Sequence, residues 1–382
     1  MKTILHIIKK EFLQFKRDPR MFGIILVAPV VQLILLGYAA NLDVEKVHTL
    51  ILDYDKTFTS RELIAEFESS GFFSIDYYAE NYAEVVRRIN NAHVLTALVI
   101  PKDFSKGSFR EKKLKRNETV RLQAIFDGSD GNTASIAAGY IAQIIAKYSQ
   151  DTMIEYLEKS GRKFSPLGEI KPEIRVWYNP YLKTRYFMVP GIVGLLLSIV
   201  TLILTSLAIV KEKEIGTLEQ LIVTPIKPYQ MIAGKIIPFI ILGFISVIIV
   251  ITAMGLLFNI PVRGSIVFLF ASAFLYILST LGLGLFVSTI SRTQQQAMMI
   301  AIFAIMMPMV YLSGFAFPIE NMPDIIQYIS YIIPLRYFIT IIRGVILKGI
   351  GFAELWSEAG ILLLMGIVIL YLSSLRFKRK LE

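Results

Sequence analysis

The 382-residue chain is 54% hydrophobic, carries a formal charge of +10, and contains three histidines and no cysteine. Disulfide and thiolate chemistry are therefore excluded, and His6, His48 and His93 are too scattered to mark a metal site. Several apolar runs exceed the roughly 18 residues that a membrane-crossing helix needs, so the chain reads as an integral membrane protein. Val44 to Lys183 holds both charge signs in near balance, which leaves the basic excess on the apolar part. That pattern fits positive-inside anchoring and speaks against a nucleic-acid partner.

Taken in order, residues 1–20 carry Lys2, Lys9, Lys10, Lys16, Arg17 and Arg20, with Ile4, Ile8, Phe12 and Phe15 at helical spacing. They predict an amphipathic helix on the cytoplasmic face. Residues 21–40 form the first apolar span. Residues 41–184 then have the composition of a soluble domain, long enough for a core of its own. Strand-like runs at Val47–Leu52, Val94–Ile100 and Val120–Phe126 alternate with helical patterns at Tyr82–Ile89 and from Thr133 to about Lys159. An α/β or α+β domain is expected. Asp127 to Asn132 fails the spacing of a calcium loop and reads as a turn with a helix N-cap. The basic run Arg110 to Arg116 reads as a solvated turn between strands.

Residues 185–382 supply the remaining spans, at Arg185–Val210, Ile236–Phe258, Ile266–Ile290, about Ala297–Tyr311 and Ile361–Leu375. The aromatic residues Trp177, Tyr178, Tyr181 and Tyr186 suit a membrane interface ahead of the second. Between the last two spans, residues 313–350 are apolar but broken by prolines into pieces too short to cross, and they read as half-helices in one leaflet. With six spans, both termini, the 211–235 loop and the turn at Ser291 share the cation-rich, cytoplasmic side, against Arg263, Arg336, Arg343 and Lys348 opposite. The expected fold is a polytopic α-helical membrane protein with six transmembrane helices and an inserted extracytoplasmic α/β domain, residues 41–184.

The polar stretch Lys211 to Lys235 stands out between two spans. Thr217 and Gln220 have capping-box spacing, Thr224-Pro225 is a helix stop, and Pro228 is placed to open the next helix. The stretch is either an ordinary hairpin loop or a stiff socket for another protein. The spans hold only mild polarity, at Gln32, Thr201, Thr205, Ser206, Ser279 and Thr280, which together with Gly282 and Gly284 fits helix packing. A gradient-driven carrier would show buried ionisable groups there. The nearest approach to a phosphate loop, Gly234-Lys235, has Tyr229 where a glycine and Ile236 where a hydroxyl are required. Energy for transport must then come from outside the chain.

The segments RVWYNPYLKTRYFMVPGIVGLLL (175–197), SLAIVKEKEIGTLEQLIVTPI (206–226), ALVIPKDFSKG (97–107), FDGSDGNTASIAAGYI (126–141) and YIIPLRYFITIIRGVILKGIG (331–351) closely resemble ABC-2 type exporter permeases. The match is to the branch with a large outward domain between the first two spans. The resemblance implies a subunit that is not an enzyme itself, moving amphipathic or hydrophobic, drug-like or lipid-like substrates outward through the cell membrane. It implies no cofactor in this chain, since ATP and magnesium would be bound by a partner ATP-binding-cassette subunit. That partner would dock on a coupling helix in the 211–235 loop, with Glu212, Glu214, Gly216, Thr217, Glu219 and Gln220 at or near the contact. It further implies a second permease copy or paralogue, contact with membrane lipids, and a periplasmic membrane-fusion adaptor. Gln32, Tyr38 and Phe187 are the candidates for a central path. The alternative is a membrane-anchored receptor or phage-contact protein with a ligand-binding outer domain.

Overall fold

A computed structural model describes residues 2–40, 46–107, 120–159, 177–179, 183–217 and 228–379. The chain divides into two compact units, residues 43–174 and residues 1–42 with 175–382.

The 43–174 unit is built on a four-stranded sheet in the order β2-β1-β3-β4. Its strands are β1 (Val47–Asp53), β2 (Phe73–Tyr78), β3 (Thr96–Ile100) and β4 (Gln123–Phe126). β1 pairs in parallel with both β2 and β3, while β4 runs antiparallel to β3. The two central strands are buried on both faces, so they read as continuous apolar runs. Val47, Ile51, Leu98 and Ile100 meet α3 (Phe58–Ser69) and α5 (Gly131–Lys159), and Leu50, Leu52, Ala97 and Val99 meet α4 (Tyr82–Asn90). The turn at Asp127 is as the spacing predicts: Asp130 Oδ1 accepts from Asn132 N at 3.1 Å and Thr133 N at 3.2 Å, capping α5. The basic run 110–116 lies outside the described residues. Strand β2 and helix α3 went unpredicted, because FSIDYY carries an aspartate and lies at the sheet edge.

The other unit is helical. It begins with α1 (Lys2–Arg17) and α2 (residues 19–39), the latter made of Pro19–Phe22, a π-helical stretch Gly23–Val27, and Ala28–Ala39. Then follow α6 (Thr184–Ile215), α7 (Pro228–Phe258), α8 (Ile266–Ile290) and α9 (Gln294–Leu312), and, after a short helix α10 (Asp324–Ser330), α11 (Pro334–Lys348) and α12 (Phe352–Arg379). Five of these helices are long and apolar enough to cross a membrane, or six if α10 and α11, bent by 86°, are one broken span. Gly23–Ala39 is a shorter apolar helix.

Helix α6 sits inside the bundle, with 78% of its apolar window buried against 22% for α9 and α12, which leave broad faces uncovered. Small residues let the central helices approach. A Cβ on Gly284 of α8 would lie 2.8 Å from the Leu202 carbonyl oxygen of α6, so only glycine fits. Thr201 and Thr280 hydrogen-bond across the same pair at 2.7 Å, and Ser198 bonds Tyr276. Of the hydroxyls singled out in the sequence, Thr201, Thr280 and Ser279 thus join helices, whereas Thr205 and Ser206 bond carbonyls of their own helix.

Two sets of contacts add to the sequence reading. The apolar stripe of α1 turns toward protein: Ile7 and Glu11 are buried, and Phe12 and Phe15 pack on the core of the unit. Arg336 and Arg343, counted above on the outward side, bond backbone carbonyls of the same unit. Arg343 donates from Nε to the Phe187 carbonyl at 3.1 Å and from Nη1 to the Gly314 carbonyl at 2.9 Å. Arg336 bonds Ser330 and the Gln327 carbonyl. These guanidinium groups thus tie α11 to backbone carbonyls of α6, of α10 and of the segment after α9.

Candidate functional site

Helix α6 outlasts its apolar run. Lys211, Glu212, Lys213 and Glu214 are good helix formers, so the helix continues through them to Ile215 and ends at Gly216, whose φ of +81° is the left-handed conformation that glycine adopts freely. Helix α7 opens at Pro228, where the missing N–H costs nothing. Residues 211–215 and 228–235 of the stretch are thus helical continuations of the two flanking spans.

The four residues Lys211 to Glu214 reach three separate elements. Lys211 pairs with Asp18, just past α1, at 3.6 Å. Glu212, only 7% exposed, accepts from Lys10 of α1 through one carboxylate oxygen and from Lys235 of α7 through the other. Lys213 Nζ donates to the Ser291 carbonyl at 2.6 Å, just past α8, and Glu214 Oε2 accepts from Gln294 Nε2 at 2.8 Å, at the start of α9. Glu11 completes the buried group, 3.4 Å from Lys10 and 3.9 Å from Lys235. Two lysines and two glutamates cancel, the condition under which charges tolerate burial. Burial lowers the Lys10 pKa, but the hydrogen bond and charge of Glu212 outweigh it, so the net shift is upward. A Cβ on Gly234 would lie 2.8 Å from Ile7, so glycine also lets α1 close onto α7.

Of the predicted docking residues, Glu212 is turned inward and held by the two lysines, whereas Glu214 is exposed and hydrogen-bonded to Gln294. Thr217 Oγ1 donates back to the Glu212 carbonyl at 3.1 Å, sealing the end of α6. Glu219 and Gln220 lie outside the described residues. Glu11, Lys10 and Lys235 were missed as members of this group. The available signal was Glu11 itself, an acid placed among apolar positions of α1.

The path candidates occupy separate contacts. Gln32 is half-buried on α2, Tyr38 packs on Phe258 with centroids 5.1 Å apart, and the Phe187 ring lies 3.6 Å beneath the Arg343 guanidinium. None of the three lines the cavity of about 540 Å³ that opens between α1, α6 and α7. Among the described residues there is no cluster of three or more histidine or acidic side chains able to hold a metal.

Long apolar helices, one bent helix pair and an ionic junction at the ends of the helices define a polytopic membrane protein. The comparisons give the class its name. Residues 19–375 match the family described as ABC-2 family transporter protein, and the chain belongs to that family. It is 33% identical over 379 residues to the probable multidrug ABC transporter permease YbhR of Escherichia coli K12, covering 98% of both chains. It is 32% identical over 373 residues to the probable multidrug ABC transporter permease YbhS of the same strain, covering 98% of this chain and 96% of that one. A more distant relative, ABC transporter G family member 20 of Dictyostelium discoideum, is 22% identical over 388 residues, 99% of this chain and 51% of that protein. The chain is a permease subunit of an ABC transporter, and its family implies an ATP-binding-cassette partner.

Proposed function

We propose that this protein is the membrane subunit of an ATP-driven exporter that moves amphipathic or hydrophobic compounds out of the cytoplasm or the inner leaflet. In this reading six spans cross the membrane, both termini are cytoplasmic, and residues 41–184 face outward. The ATP-binding subunit docks on the loop after α6, and two permease chains, identical or paralogous, enclose the path.

The single observation that carries the reading is the junction at Lys211 to Glu214. A loop that only connected two spans would not need four consecutive side chains tied to three other segments. Such a junction makes the loop a lever. Displacement of residues 216–227 by a nucleotide-driven partner is passed to α1 through Glu212 and Lys10, to α7 through Lys235, and to α9 through Glu214 and Gln294. Neutral, paired charges suit this role, since the contacts hold without leaving net charge at the membrane boundary. The names of the two Escherichia coli relatives favour a drug-like cargo.

Affinity purification from native membranes in mild detergent tests this reading. A stoichiometric soluble subunit that brings ATP hydrolysis is expected, and Glu219→Lys should abolish its capture while insertion and yield stay normal. Purification alone and inert, under conditions that preserve other transporter complexes, would overturn the exporter reading in favour of the receptor alternative.

A further inference from the structure

The cavity between α1, α6 and α7 has the size of a small-molecule site, at about 540 Å³. Its wall is apolar, with Phe15, Leu204, Leu207, Phe239 and Leu242 contributing. Its charged lining is Glu11, Arg17 and Asp18 at the end of α1 and Lys211 and Glu212 at the end of α6.

Among the described residues the three lining carboxylates are each matched by a lysine, two of which, Lys10 and Lys235, stand behind the lining. Glu11 and Glu212 are matched by Lys10 and Lys235, and Asp18 by Lys211. Arg17 is exposed and has no carboxylate within ion-pair distance among the described residues. Lys16, next to it on the same helix, is exposed as well and adds to the positive potential there. An apolar cleft with a spare guanidinium among its lining residues complements an amphiphile with an anionic headgroup, because arginine grips phosphate through paired N–H donors. On the orientation proposed above, this opening stands at the cytoplasmic headgroup level, where anionic phospholipid is the abundant molecule of that chemistry.

We infer that the cavity binds an anionic phospholipid of the inner leaflet, with one acyl chain against the α6 and α7 wall and the phosphate on Arg17 beside Lys211. The lipid then bridges α1 to the two helices that flank the loop, next to the ionic junction. The inference rests on the proposed orientation and not on ATP-driven export.

The test uses the full-length permease in nanodiscs of equal phosphatidylglycerol and phosphatidylethanolamine, followed by extraction into detergent and native mass spectrometry of the retained lipid. Phosphatidylglycerol should be retained about fivefold over phosphatidylethanolamine, the ratio that one surface cation supplies. Arg17→Gln should remove the preference while a lipid is still held, and Arg17→Lys should keep most of it. Ala208→Trp, which fills the cavity, should cut retention of both lipids. No preference in the wild type, or a preference that survives Arg17→Gln, would overturn the site. Loss of ATPase capture with the lipid preference intact would overturn the exporter reading and leave this site standing.

Discussion

Two polar regions of the helical unit solve the same problem in different ways. Between α6 and α8, Ser198, Thr201, Tyr276 and Thr280 join helices through neutral hydroxyls, most of which also bond a carbonyl of their own helix. At the end of α6, full charges are buried, and the Glu212 carboxylate is held by lysines from two other helices. The difference follows from desolvation. A hydroxyl costs little inside an apolar bundle because the preceding turn satisfies it. A charge costs several kcal/mol unless its partner is already in place. The hydroxyl contacts therefore position helices that stay together, and the ionic junction can report whether separate segments are assembled.

The sharpest way to break this contrast is Glu212→Ala. It leaves Lys235, only 3% exposed, facing Lys10 with Glu11 alone to balance them. Removing one partner of a buried ionic group costs about 3–5 kcal/mol. A large fall in the thermal unfolding midpoint of the detergent-purified protein is expected, with Glu212→Gln intermediate. The hydroxyl region should respond far less. A double-mutant cycle on Thr201→Val and Thr280→Val should give a coupling of about 0.6 kcal/mol, typical of hydrogen bonds between membrane helices. Thr280 keeps the Ile277 carbonyl at 3.1 Å when its cross-helix partner is lost, so no orphan is created. A coupling several times larger would erase the distinction.

The smallest expected effect is on pH. The Lys10 pKa is raised in the folded state, with burial opposing and Glu212 prevailing. A cation of this kind contributes stability that is whole below its unfolded pKa and is lost only as the pH climbs through the folded one. The stability difference between wild type and Lys10→Met should therefore be flat from about pH 6 to about pH 9 and shrink only in strong alkali. A difference that changes within the neutral range would mean that another group governs the junction.

Much of this architecture is legible in the sequence, because long apolar runs and prolines are local signals. The positions of α6, α7, α8 and α12, the proline breaks before α10 and α11, and the helix N-cap at Asp130 all follow from nearby residues. The five resemblance motifs pointed to the family that the match over residues 19–375 shows. What local signals could not supply was partnership over long separations. Lys10, Glu212 and Lys235 come from three helices, and no spacing rule joins them. Arg343 looks like a loop cation because the carbonyls it serves, those of Phe187 and Gly314, lie far away in sequence. The α1 stripe shows that an amphipathic pattern names an apolar face without saying whether lipid or protein covers it.

The most direct test of the lever account is the amount of substrate exported per ATP hydrolysed, measured in proteoliposomes holding the permease with its co-purified ATP-binding subunit. Lys10→Met suits it, because Lys10 is the more exposed of the two lysines and Lys235 stays against both carboxylates, and a matched yield and elution profile shows that the variant folds. The account predicts that the variant hydrolyses ATP at a near-normal rate while export per ATP falls severalfold, and that Lys10→Arg restores the ratio. Unchanged export per ATP in Lys10→Met would contradict it, since α1 would then take no part in transmitting the motion of the loop.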